Sequence, residues 1–142
     1  RRRAGTENIA AICGFAKVLE LPVMHHVSAW RDALEATLPQ AVVFSKNAPR
    51  LPNTACLAMP GVPAETQLMH FDLSGIAISA GSACTSGKIS ASHVLSAMGV
   101  PPELATTAIR VSLGWNSTQA DAMRFAEAWN ALRKRILGQG KA

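Results

Sequence analysis

Residues 109–113 read Ile-Arg-Val-Ser-Leu, a strict apolar–polar alternation. Successive side chains of a strand point to opposite faces, so the run predicts a strand with one face in a core and the other open. Such a strand needs partners beside it and helices over its apolar face. Residues 42–44, 54–59 and 76–79 are short apolar runs that read as further strands. Residues 26–38 carry Val27, Trp30, Leu34 and Leu38 at helical spacing, and residues 64–73 read as another helix. A final helix runs to about residue 137, with Ala122, Phe125, Trp129, Leu132 and Ile136 on one face. Thr118-Gln119-Ala120-Asp121 resembles a capping box at its start, with Asp in place of Glu or Gln. Strands and helices mix without strict βαβ alternation, so the expected class is α+β.

Proline and glycine punctuate these elements. An apolar helix over residues 8–19 is broken by Pro22, and Pro49 and Pro52 stiffen the turn over 48–53. Pro60-Gly61-Val62-Pro63 launches the helix at 64, and Gly75 is expected to end it in a left-handed cap. Ser92 is placed to cap a short helix through Met98, stopped by Gly99. Pro101-Pro102-Glu103 starts another short helical segment.

The 142 residues suit one domain, and a composition 49% hydrophobic and 16% charged suits a packed core. No run of 18 apolar residues occurs, so no membrane span is expected. Arg1-Arg2-Arg3 is followed by Ala-Gly-Thr-Glu-Asn rather than an apolar signal region, so the expected setting is intracellular. The net charge of +5 is concentrated at Arg1 to Arg3, Arg133 to Arg135 and Lys141. No aromatic residues interleave with those clusters, so a nucleic-acid partner is not expected, and an acidic protein partner or a solvated helix end fits better.

Three cysteines, Cys13, Cys56 and Cys84, are far apart and without C-x-x-C spacing, which argues against a disulfide frame or a zinc ribbon. Cys13 and Cys56 lie in apolar stretches and read as small buried hydrophobes. Cys84 differs. It sits in Ser79-Ala80-Gly81-Ser82-Ala83-Cys84-Thr85-Ser86-Gly87-Lys88, directly after a strand-like run. A thiol among small and hydroxylated neighbours is either a reactive group that substrate can reach or an incidental surface cysteine. Lys88 is placed to help hold a thiolate, although a solvated lysine is the plainer reading. His25 and His26 diverge by ~100° on a helix, with no third ligand in view, so no metal site is expected. His93 reads as a capping-region residue and His70 as a helix-edge residue.

Four motifs taken together resemble one family. They are the Cys84 run, continued by Ser92-His93-Val94-Leu95 and Ala97-Met98-Gly99; Arg3-Ala4-Gly5-Thr6-Glu7-Asn8; Arg50-Leu51-Pro52-Asn53-Thr54; and Ile109-Arg110-Val111-Ser112-Leu113-Gly114. In this order they resemble the pyridoxal-phosphate-dependent cysteine desulfurases, in the branch serving iron–sulfur cluster assembly and nitrogen fixation. The resemblance implies the small C-terminal domain of a fold-type I enzyme, with a short, mostly antiparallel sheet. It implies that Cys84 is the nucleophile that takes sulfur from L-cysteine and becomes a persulfide. It implies that Arg110 grips the substrate carboxylate, that Asn53 lies on the substrate side, and that Thr6 donates to the cofactor phosphate across a homodimer interface. A fork of two donors suits Arg110 to that task. The implied partners are L-cysteine and an iron–sulfur scaffold or other sulfur acceptor, in the cytoplasm.

The chain also departs from that family. The Schiff-base lysine follows Ser-x-His there, and none of Lys17, Lys46, Lys88, Lys134 or Lys141 has a preceding histidine. The expectation is therefore a C-terminal portion, with residues 1–20 ending a larger domain, residues 21–142 forming the small domain, and a cysteine loop over 80–91. Alone, such a portion is expected to be inactive. Residues 20–47 look shorter than the family's usual pair of helices. Two other readings stay open at this stage: a related fold-type I lyase or aminotransferase, and a non-enzymatic module that binds a scaffold through Arg133-Lys134-Arg135.

Overall fold

The computed structural model describes residues 5–21, 26–38, 40–80 and 92–138. Cys84 and the rest of 81–91 lie outside the described residues, as do His25 and Lys88. Six helices are described: α1 (Ile9–Leu19), α2 (His26–Ala36), α3 (Ala64–Leu73), α4 (His93–Ala97), α5 (Pro102–Ala105) and α6 (Gln119–Leu137). Four strands, β1 (Val42–Val43), β2 (Thr54–Ala58), β3 (Ser79–Ala80) and β4 (Ala108–Ser112), form one sheet in the order β1-β2-β4-β3. Every ladder is antiparallel. The α+β expectation stands.

β4 is the central strand, and its alternation divides the core. Ile109, Val111 and Leu113 join Ala55 and Leu57 of β2 under α2, α3 and α6. Ala108 and Ala58 turn the other way and pack with Phe44, Leu95 and Ala105 near α4 and α5. On the first face Phe71 of α3 stacks on Phe125 of α6 with ring centroids 4.8 Å apart, and Phe125 meets Trp129 at 5.8 Å. Val27, Leu34 and Leu38 are buried, as their spacing predicts, and Trp30 packs beside them. Gln67 is also buried there, where its Nε2 donates to the carbonyls of Val62 and Thr107, each at 2.8 Å.

The end of α3 explains why the strand expected over 76–79 contracts to Ser79–Ala80. Gly75 takes φ 68°, a region a side chain enters at a cost, and the Ile76 amide donates back to the Phe71 carbonyl at 2.8 Å. Ile76 is thus still part of the helix cap and its N–H is not available to a ladder. Ile76 and Ile78 nonetheless pack against the core.

α6 begins with the full capping box. The Asp121 amide donates to Thr118 Oγ1 at 3.2 Å, and the Thr118 amide donates to Asp121 Oδ2 at 2.8 Å. The Thr118 hydroxyl also donates to Asp121 Oδ2 at 2.8 Å, and this bond, with the one from the Thr118 amide, holds the Asp121 carboxyl below its ordinary range. A depressed native value means the carboxylate supports the helix above the unfolded-state value of about 3.9 and loses that support as pH falls through its own, lower value. Replacing Asp121 with Asn should lower the thermal midpoint at neutral pH. The gap to the parent protein should shrink as the pH drops below about 4. A gap that stays constant down to acid unfolding would show that the charge on Asp121 plays no part.

α1 is the exception to this packing. None of its residues is buried, and Ile9, Ile12, Phe15, Val18 and Leu19 are each more than half exposed. Cys13, expected to be buried, is exposed with them, because no face of the helix packs into the core. No helix among the described residues is long and apolar enough to cross a membrane.

Candidate functional site

The antiparallel register brings four residues into one row across the sheet. Arg110 on β4 pairs with Cys56 on β2 and with Ser79 on β3. The Phe44 amide, just after β1, donates to the Cys56 carbonyl at 3.0 Å and extends the row. All four side chains leave the face opposite α2, α3 and α6, because Ile109 and Val111 on either side of Arg110 turn inward. A cleft of about 280 Å³ opens along the row, lined by Phe44, Cys56, Leu95, Met98 and Arg110 with Ser92 at one end.

Arg110 is exposed on that face. No hydrogen bond or ion pair engages its guanidinium among the described residues, so the fork is open to an incoming carboxylate. Cys56 is half-buried rather than fully buried. Desolvation pushes its thiol upward and the nearby Arg110 charge partly offsets this, so the neutral thiol dominates and Cys56 is a weak nucleophile. Sequence reasoning set Cys56 aside as core. Its place beside Arg110 follows only from the pairing of β2 with β4.

The Leu-Pro-Asn turn is joined to the end of β4. The Asn53 carbonyl accepts from the Leu113 amide at 2.8 Å, and Asn53 Nδ2 donates to the Leu113 carbonyl at 3.0 Å. Asn53 thus stands three register positions from Arg110, with its amide committed to the backbone. Thr6 is exposed in the extended segment before α1 and does not line the Arg110 cleft. The α1 cap is Asn8, whose Oδ1 accepts from the Ala11 amide at 3.1 Å, so the Thr6 hydroxyl is not needed there.

Cys84 lies outside the described residues, but the strand that leads to it does not. Ser79 and Ala80 are paired with Arg110 and Ile109, four and five residues before Cys84 in the chain. On the other side, Ser92 re-enters the fold as the cap of α4, its Oγ accepting from the Leu95 amide at 3.5 Å. Among the described residues, Ser79 is thus paired with Arg110 and Ser92 lines its cleft. Glu35, which sequence reasoning passed over, and Arg50, which opens the Leu-Pro-Asn motif, form a largely buried ion pair at 2.6 Å. The one signal was the place of Glu35 on the flank of the Val27–Leu34–Leu38 stripe. Among the described residues no group of three His, Cys, Asp or Glu side chains is arranged to hold a metal.

Residues 1–125 match the family model described as aminotransferase class-V. A cysteine desulfurase of Enterobacter agglomerans is 44% identical, over 79% of this chain and 30% of its own length. One from Sinorhizobium fredii is 39% identical, over 95% of this chain and 38% of its own length. The chain thus spans about a third of the length of the curated relatives it matches. The X-ray structure of a NifS-like protein from Rickettsia africae superposes with a TM-score of 0.74 at 34% identity, covering 92% of this chain and 36% of that one. With a matching family model over most of its length and an antiparallel sheet that superposes on such a structure, the chain belongs to the aminotransferase class-V family.

Proposed function

We propose that this chain is the sulfur-carrying part of a cysteine desulfurase, which converts L-cysteine to L-alanine and holds the sulfur on Cys84. The observation that supports the reading is the pairing of Ser79, five residues before Cys84 in the chain, with Arg110, whose guanidinium no described residue engages. The similarity of 38–44% to curated cysteine desulfurases supports it. Arg110 binds the substrate carboxylate and fixes its thiol toward Cys84. The Cys84 thiolate attacks the substrate sulfur. A sulfur–sulfur bond forms and the carbon–sulfur bond breaks. The electron pair stays with carbon, which takes a proton to become alanine, leaving a persulfide on Cys84. Asn53 serves the substrate side by holding the end of β4.

Class-V membership implies dependence on pyridoxal phosphate, which supplies an electron sink for the substrate carbon when bound. The exposed Thr6 hydroxyl suits its phosphate. Of the described lysines, Lys17 pairs with Glu20 at 2.5 Å, and neither Lys46 nor Lys134 lines the Arg110 cleft. The residues described here thus fit the substrate carboxylate and the phosphate, and they provide no lysine for the aldehyde. In the complete enzyme we assign that lysine, and most of the ring's contacts, to the part of the relatives this chain does not span. On the same reading α1 belongs with that larger part, the enzyme is a homodimer in the cytoplasm, and the persulfide passes to an iron–sulfur scaffold or another acceptor protein.

Replacing Arg110 with Lys in the full-length protein tests the central assignment. The charge remains but the fork is lost, and a charge-assisted bond of this kind contributes about 1.5–3 kcal/mol, so the KM for L-cysteine should rise roughly 10- to 100-fold. The thermal midpoint should hold, because Arg110 is exposed. An unchanged KM would refute the assignment. Incubating this chain with pyridoxal phosphate and borohydride should label no single lysine stoichiometrically; one fully labelled lysine would show that the chain holds the cofactor by itself.

A further inference from the structure

α2 buries one carboxylate beside its apolar stripe. Glu35 is 6% exposed and is the one charged residue among the described buried ones. Arg50 meets it fork to fork, Nη1 to Oε1 at 2.6 Å and Nη2 to Oε2 at 3.1 Å. Such a pair is poorly explained by stability. Withdrawing two charges from water offsets most of their attraction, and apolar replacements of buried pairs are often neutral or stabilising. What a buried pair fixes well is geometry.

Here the geometry leads to the cleft. Arg50 opens the turn Arg50-Leu51-Pro52-Asn53. Arg31, one helical turn before Glu35, donates from Nη1 to the Leu51 carbonyl at 2.5 Å while its other nitrogens hold Asp32 at 2.8 and 2.9 Å. Pro52 fixes the next backbone angle. Asn53 then makes its two bonds to Leu113. From that junction the ladder counts back through Thr54–Ser112 and Ala55–Val111 to Cys56–Arg110. A slip of one residue anywhere along it would turn Arg110 into the helix-packed core and bring Ile109 or Val111 to the open face.

We propose that Glu35 and Arg50 are positioning residues for Arg110: the pair anchors the turn that sets the β2–β4 register and so keeps the guanidinium on the open face of the cleft. This rests on the reading of Arg110 as the carboxylate clamp. It adds that part of the enzyme's grip on substrate is set from the opposite side of the sheet.

The test is the double variant Glu35→Leu/Arg50→Leu in the full-length protein, read by amide exchange and by kinetics. Exchange over residues 108–113 should accelerate about tenfold or more relative to α6, with the thermal midpoint held. The KM for L-cysteine should rise about tenfold with kcat changed much less, since a small misplacement of a binding group is costly. The reversed pair, Glu35→Arg/Arg50→Glu, should restore both. Should the apolar variant fail to fold, Arg50→Lys keeps the charge, loses the fork and must shift the same readouts in the same direction. Unchanged β4 protection overturns the proposal, as does a uniform rise in exchange across all elements, which would mark the pair as an ordinary stability element. If the parent protein does not turn over L-cysteine at all, the desulfurase reading fails by itself, and β4 exchange still decides the role of the pair.

Discussion

Replacing Cys84 with alanine in the full-length protein should lower alanine formation from L-cysteine by at least ~10³-fold, the scale seen when a covalent nucleophile is removed. The size of the effect follows from the lack of a substitute. Cys13 lies on α1, away from the cleft. Cys56 is within the cleft, but its burial favours the neutral thiol and its side chain packs against the cluster of Phe44, Leu95 and Ala105. The check is alanine production together with intact-protein mass. The unmodified enzyme should gain one sulfur atom after a single turnover and the variant none. Retained turnover in the variant would mean that sulfur leaves by another route, and the reading of a related lyase would replace the present one.

The second large effect concerns the fold. Trp129 is 1% exposed on α6 and ends the aromatic series that begins with Phe71. Truncation to alanine should cost about 3–5 kcal/mol, the range for a large aromatic deleted from a core that collapses only in part. Against a total of roughly 5–15 kcal/mol for a small domain, that is enough to leave a substantial fraction unfolded at physiological temperature. The comparison is Trp115, 85% exposed in the turn after β4, whose replacement should move stability by no more than about 0.5 kcal/mol. Urea unfolding followed by circular dichroism separates the two. Equal effects would mean that the Phe71–Phe125–Trp129 stack is not where α3 and α6 are held together.

What the sequence revealed and what it hid divide along a physical line. β4 and α6 were legible because each writes its environment into a local period, two for the strand and 3.6 for the helix, and because Thr118–Asp121 marks a start within four residues. Gly75 and Ser92 were legible for the same reason, as caps act over one turn. The extent of β3 was not legible. Ile76 and Ile78 have the composition of a strand, yet a hydrogen bond to Phe71 has already claimed the first amide. The burial of Cys13 was misjudged because an apolar helix reads the same whether or not anything lies against it. At the site, Arg110 stood out through its motif. Its neighbour Cys56 and the Glu35–Arg50 pair depend on contacts across 54 and 15 residues of chain, which no window on the sequence contains.

α1 carries a consequence for how this protein is studied. Eleven residues that bury nothing have no packing to sustain a helix, and segments that short are marginal in water. Its helicity must therefore follow the company it keeps. The amide exchange of residues 9–19 becomes an internal gauge of docking, slow when the five exposed apolar side chains are covered and fast when they are bare, and it can be read without substrate, cofactor or turnover.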